Sequence, residues 1–215
     1  MTGDDPHGGR PVLAYGTPLE EARAAMVMLH GRGASAQDIL GLADVFGVDG
    51  VAFIAPDAAG NTWYPYSFLS PIPQNEPWLS SALAFVARVH ATVREAGIAP
   101  EKTLLLGFSQ GACLTLEFSA RNARRYGGIA ALTGGLIGPD GTPRDYEGSL
   151  DGTPVFIGTS DPDPHIPVQR VHDSADVLTR MGARVETRIY PGMGHTVNDD
   201  EIRHVRALVE AVLAS

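Results

Sequence analysis

A serine with a glycine two residues away on each side stands at Gly107-Phe108-Ser109-Gln110-Gly111. The apolar run Thr103-Leu104-Leu105-Leu106 precedes it, and the helix-like Ala112-Cys113-Leu114-Thr115-Leu116-Glu117-Phe118 follows. In a strand–turn–helix setting the serine sits at the tip of a sharp turn, and glycines at 107 and 111 relieve the crowding between strand and helix. The helix then aims its free N–H groups at the site, where they can stabilise an oxyanion. That chemistry is nucleophilic attack on a carbonyl carbon through a covalent acyl intermediate. A hydroxyl is a weak nucleophile until a base removes its proton, so a partner is required.

Of seven histidines, His195 is the base candidate. It lies in Tyr190-Pro191-Gly192-Met193-Gly194-His195, a turn-rich loop directly after the last strand-like run. His90, His172 and His204 fall inside predicted helices, and His7 falls near the N-terminus. With this motif an acid lies between the serine and the histidine in chain order. The loop after Val155-Phe156-Ile157 offers two, Asp161 and Asp163, and only one can hold the imidazole tautomer.

An oxyanion hole needs a second donor loop after an early strand. Met26–Leu29 runs into His30-Gly31-Arg32-Gly33-Ala34-Ser35, where small neighbours let the Arg32 backbone N–H approach a carbonyl, with the Gln110 N–H as its partner. His30 is read as orienting this loop. A phosphate-binding loop would need the Lys and Ser/Thr that are missing here. Trp63, Tyr64, Tyr66, Phe68 and Trp78 fall within one Pro-rich stretch, and Trp63 and Tyr64 are expected to line an apolar substrate pocket.

These groups need a frame. Short apolar runs at 12–15, 26–29, 51–54, 103–106, 129–132, 155–157 and 185–190 alternate with helical patterns near 35–46, 78–96, 110–124, 167–181 and 199–214. The alternation predicts an α/β fold, a mostly parallel sheet of about seven strands with helices on both faces. Most of the runs are continuously apolar, as buried parallel strands are, whereas the mixed 185–190 reads as an edge. Asn198 or Asp199 is expected to cap the last helix. Segments 57–77 and 134–153 read as excursions. Residues 1–10 read as a flexible tail, and 11–215 as a single domain with no separate cap domain.

The composition bounds the partners. Sixteen basic against twenty-five acidic side chains give a net charge of −9, which disfavours nucleic acid and anionic membranes. One cysteine, Cys113, and no zinc-ligand spacing leave no internal disulfide or metal site to expect. No apolar stretch reaches the roughly 18–20 residues of a membrane span, and the N-terminus lacks a signal-like apolar region. The expected compartment is the cytoplasm, and no cofactor is required by the chemistry above.

Four motifs in order, Leu29-His30-Gly31-Arg32-Gly33, Gly107-Phe108-Ser109-Gln110-Gly111-Ala112, Asp163-Pro164-His165-Ile166-Pro167 and Gly192-Met193-Gly194-His195, resemble the phospholipase/carboxylesterase family. This is the acyl-protein-thioesterase-like branch of the α/β-hydrolases. The resemblance covers roughly residues 11–214. It implies Ser109, Asp163 and His195 as a catalytic triad, with Asp163 favoured because the family's acid precedes a Pro-x-Val-Pro. It also implies a small-molecule ester as substrate, a short acyl chain, and homodimerisation. Arginine at 32 departs from the usual leucine, and the loop bearing the two aspartates is longer than usual. The expected activity is a serine carboxylesterase. The alternatives are an acyl thioesterase or lysophospholipase with the same triad, and a non-catalytic binding protein on the same fold.

Overall fold

The computed structural model describes residues 5–215. Its strands are β1 (Val12–Gly16), β2 (Ala24–Leu29), β3 (Val51–Pro56), β4 (Thr103–Phe108), β5 (Gly128–Leu132), β6 (Pro154–Asp161) and β7 (Arg184–Pro191). Its helices are α1 (Ala36–Phe46), α2 (Trp78–Glu95), α3 (Gln110–Arg121), α4 (Val168–Arg180) and α5 (Asp199–Ala214). The seven strands form one sheet in the order β1-β3-β2-β4-β5-β6-β7. All neighbours are parallel except β1, which runs antiparallel to β3. The alternation of runs predicts this mostly parallel α/β sheet, and the family resemblance implies its α/β-hydrolase form.

Strand alternation divides the core into two layers. Ala25, Val27, Leu29, Leu105, Ile129, Ala131, Val155 and Ile157 face α2, α3 and α4. Their neighbours in sequence, among them Met26, Met28, Leu104, Leu106, Ala130 and Phe156, face α1 and α5. Both faces of β2 to β5 are therefore apolar, which is why those runs carry no polar alternation. The edge strand β7 alternates partly buried with exposed residues, in keeping with its mixed sequence. β1 differs from the expectation for a buried strand. Its apolar residues are largely exposed at the antiparallel edge, with Tyr15 bonded to Asp44 of α1.

The helix ends follow local chemistry. Ser35 and Asp38 form a reciprocal capping box on α1, and Asn198 and Glu201 form one on α5. Asn198, not Asp199, is thus the cap. α3 ends at Arg121, three residues before the predicted stop at 124. Segment 57–77 contains two short 3₁₀ turns, and 134–153 carries no helix or strand. Among the described residues, no helix is long and apolar enough to cross a membrane.

The expected tail needs correction. Residues 1–4 lie outside the described residues, but His7 is completely buried. Its N–H donates to Ser81 Oγ at 2.9 Å, its Nε2–H donates to the Trp63 carbonyl at 3.0 Å, and its Nδ1 accepts from Ala59 N–H at 3.1 Å. The ring sits between the rings of Trp63 and Trp78. Segment 5–10 is a packed strap behind the aromatic loop. The partners of His7 lie more than fifty residues away in the chain, where local composition carries no sign of them.

Both ring nitrogens of His7 are committed in the neutral form, and burial holds its pKa below the ordinary histidine value. His30 is lowered for the same reason, and burial takes His90 down to about 4. The unfolded chain therefore binds more protons than the folded one just below neutrality, and stability falls with pH from about 6.5 downward. His7→Ala is expected to cost about 2–4 kcal/mol in urea denaturation at pH 7.5, from a cavity and two unpaired backbone groups. The gap to wild type should narrow toward pH 4.5, and a variant as stable as wild type at pH 7.5 would contradict this packing.

Candidate active site

Every residue singled out for chemistry lies at the carboxyl end of the parallel strands, where helices and loops leave a crevice. Ser109 follows β4 with φ 54° and ψ −118°, a left-handed conformation that L side chains rarely adopt. Its N–H donates to the Leu132 carbonyl at 2.9 Å, tying the turn to β5. A side chain at Gly107 would collide with the Gly111 carbonyl, and one at Gly111 with the Leu29 and His30 carbonyls. Both glycines are thus required for the approach of backbone to backbone, which is the reason for the motif's spacing.

His195 lies in the loop between β7 and α5. Its Nε2 is 2.8 Å from Ser109 Oγ, and its Nδ1 is 2.8 Å from Asp163 Oδ2. The second oxygen of Asp163 accepts from His165 N–H and Ile166 N–H, each at 2.8 Å. Burial pushes this carboxyl upward, but the hydrogen bonds from His195 and the two amides outweigh it, and the pKa lies below the ordinary aspartate value. Asp161 is the last residue of β6 and is exposed, and its side chain makes no hydrogen bond to His195. Of the two aspartates, the structure joins Asp163 to the imidazole.

Three supports of His195 are not singled out by the sequence, although Phe108 and His165 fall at variable positions of its motifs. The Ser160 hydroxyl accepts from Gly194 N–H at 3.0 Å, the Phe108 ring packs on the imidazole with centroids 5.2 Å apart, and the His165 ring meets it edge-on at 4.8 Å. Across the base of the loop, Tyr190 of β7 donates to Asp200 of α5 at 2.9 Å.

The loop after β2 brings Arg32 to the same crevice. His30 is buried beneath it, donating from Nδ1 to the Gly31 carbonyl at 2.8 Å and accepting at Nε2 from Ala58 N–H at 3.1 Å. It is a strut of the loop, consistent with the orienting role expected of it. Gly33 takes φ 80° and its N–H donates to the Asn61 carbonyl at 2.7 Å, which turns the chain past Arg32. Among the described residues, the backbone N–H groups of Arg32 and Gln110 have no protein acceptor.

The crevice has a volume of about 440 Å³. Tyr64, Phe68, Cys113 and Ile166 form its buried apolar floor, with Arg32 and His165 at the exposed rim. Trp63 does not line it, contrary to expectation. That indole is fully buried, stacks near His30 with centroids 5.0 Å apart, and donates from Nε1 to the His30 carbonyl at 2.8 Å. Adjacent residues of this loop face opposite ways, so Tyr64 meets the cavity and Trp63 braces the loop after β2 from behind. The Cys113 thiol lies one helical turn beyond Ser109, and burial pushes its pKa up to about 12, leaving it inert. Among the described residues, no group of three or more His, Cys, Asp or Glu could hold a metal ion.

The family model described as Phospholipase/Carboxylesterase matches residues 16–213. The chain belongs to this family. A crystal structure of a phospholipase/carboxylesterase from Dyadobacter fermentans superposes with a TM-score of 0.91 at 49% identity, covering 94% of this chain and 97% of that one. Acyl-protein thioesterase 1 of Gibberella zeae is 34% identical over 122 residues, 55% of this chain and 52% of the relative. Carboxylesterase SOBER1 of Arabidopsis thaliana is 26% identical over 149 residues, 68% of this chain and 63% of the relative. The chain thus spans about half to two thirds of the length of these curated relatives.

The two aspartates separate cleanly in a test. Asp163→Asn is expected to lower kcat for an activated ester by about 10⁴-fold, because the imidazole loses its tautomer and its counter-charge. Asp161→Asn should stay within a few-fold of wild type. Steady-state kinetics of the two variants side by side decides, and a larger loss in Asp161→Asn would reverse the assignment.

Proposed function

We propose that the chain is a serine carboxylesterase acting on short- to medium-chain carboxylic esters. The observation that carries the reading is the hydrogen-bonded line Ser109 Oγ–His195 Nε2, His195 Nδ1–Asp163 Oδ2, with both contacts at 2.8 Å. In this reading His195 takes the Ser109 proton as Oγ attacks the ester carbonyl, and Asp163 stabilises the imidazolium that results. The oxyanion is held by the Arg32 and Gln110 N–H groups, each worth about 3–4 kcal/mol in comparable sites. His195 then protonates the leaving alcohol. A water molecule, deprotonated by the same imidazole, opens the acyl-enzyme and restores Ser109. No side chain in this sequence of steps requires a cofactor.

The apolar floor of Tyr64, Phe68, Cys113 and Ile166 supports an acyl chain as the part of the substrate that is buried. Family membership and relatives named carboxylesterase support the same class. Thioester cleavage is the second reading, favoured by relatives named acyl-protein thioesterase. A cytoplasmic location and the absence of a nucleic-acid partner are part of the proposal, supported by the net charge of −9 and a single buried thiol.

Wild type is expected to hydrolyse p-nitrophenyl acetate and butyrate, and Ser109→Ala to lose about 10⁴–10⁶-fold in kcat. Undiminished turnover in the variant would sink the mechanism. A wild type inert toward both oxygen esters and acyl thioesters would favour a binding protein instead.

A further inference from the structure

The Arg32 side chain is not free at the mouth of the crevice. Nη1–H donates to the Pro65 carbonyl at 2.8 Å, and Nη2–H donates to the Tyr64 carbonyl at 2.9 Å and the Tyr66 carbonyl at 2.7 Å. Three successive carbonyls turned toward one guanidinium cannot be satisfied by a helix or a strand ladder, and Pro65 has no N–H of its own to offer. From the inner side, Gln110 donates from Nε2 to the Tyr64 carbonyl at 2.8 Å and accepts at Oε1 from Trp63 N–H at 2.9 Å. Asn75 accepts from Tyr66 N–H at 2.8 Å and donates to the Ser67 carbonyl at 3.1 Å. The segment that carries Tyr64 and Phe68 is thereby bolted to the two residues whose N–H groups face the reacting carbonyl.

We infer that the Arg32 side chain is a positioning residue that fixes the acyl wall and biases the enzyme toward the short end of its acyl-chain range. The inference rests on the hydrolase reading above and deepens it. Tyr64, Phe68, Cys113 and Ile166 are all nearly inaccessible to solvent, so the floor is closed. A longer chain packed against this floor pushes on that wall, and displacing it breaks three charge-assisted hydrogen bonds at once. Lysine could not substitute, since one ammonium lacks the planar fork that reaches all three carbonyls. Loss of the side chain also loosens the loop that carries the residue 32 N–H, so the test reads the ratio between two esters, in which a loss common to both cancels.

The test is kcat/KM for p-nitrophenyl acetate, butyrate, octanoate and decanoate, measured on wild type, Arg32→Met and Arg32→Ala. Wild type is expected to fall steeply beyond butyrate. In both variants the acetate-to-octanoate ratio should drop by about tenfold, chiefly through KM, as a released wall admits the longer chain. Millimolar guanidinium should restore the ratio in Arg32→Ala, where it can occupy the vacated site, and not in Arg32→Met. An active wild type whose ratio is unchanged in both variants, or one that prefers octanoate, overturns this inference alone. A wild type inert toward every ester overturns the hydrolase reading and the inference with it.

Discussion

The close approach of three backbones around Ser109 is the constraint on which the rest of the site depends. β4 must pass so near the start of α3, and α3 so near the end of β2, that neither Gly107 nor Gly111 has room for a methyl group. Ser109 is forced into a left-handed conformation at the apex. A backbone in such a region costs about 1–3 kcal/mol and persists only where surrounding structure over-determines it. Here the bond from Ser109 N–H to β5 and the buried parallel strands on either side supply that restraint. The strain is therefore held by the centre of the sheet, the part of the fold with the most apolar burial.

The same approach brings together the two backbone N–H groups proposed to stabilise the oxyanion. Because the end of β2 is pressed against α3, the loop that leaves β2 brings Arg32 beside Gln110. Each of these residues has two functions in different parts of its structure. The backbone N–H groups have no protein acceptor among the described residues, while the exposed Arg32 side chain and the buried Gln110 side chain hold the loop at 62–66 from its outer and inner sides. Trp63 closes the arrangement from beneath by donating to the His30 carbonyl, and the buried strap at His7 supports Trp63 in turn. The proposed acyl wall is held by hydrogen bonds to Arg32 and Gln110, not by regular structure of its own.

Much of this was legible in residue types alone, and the exceptions share a cause. The strand–turn–helix around Ser109, the turn-rich loop of His195 and the buried parallel strands announce themselves through local pattern, and the helices match within a few residues. What failed depended on contacts distant in sequence. Val12–Tyr15 has the composition of a central strand, and only topology makes β1 an exposed edge. Trp63 and Tyr64 are chemically similar neighbours, and which of them meets the cavity is decided by an indole–carbonyl bond to residue 30. Asp161 and Asp163 are a different case: the residues leave both open, the family resemblance favours Asp163, and the structure joins Asp163 to His195 beyond the end of β6. The guanidinium of Arg32, a departure from the usual leucine, had no evident role until its three carbonyl partners were in view.

The central claim is that the geometry at Ser109 makes this one hydroxyl nucleophilic through His195. Labelling with a fluorophosphonate, followed by intact mass and peptide mapping, addresses it without reference to any substrate. The account expects one adduct per chain, located on Ser109, with the rate of labelling reduced about 10³-fold or more in His195→Gln. Labelling at another residue, or at an unchanged rate in His195→Gln, would contradict it.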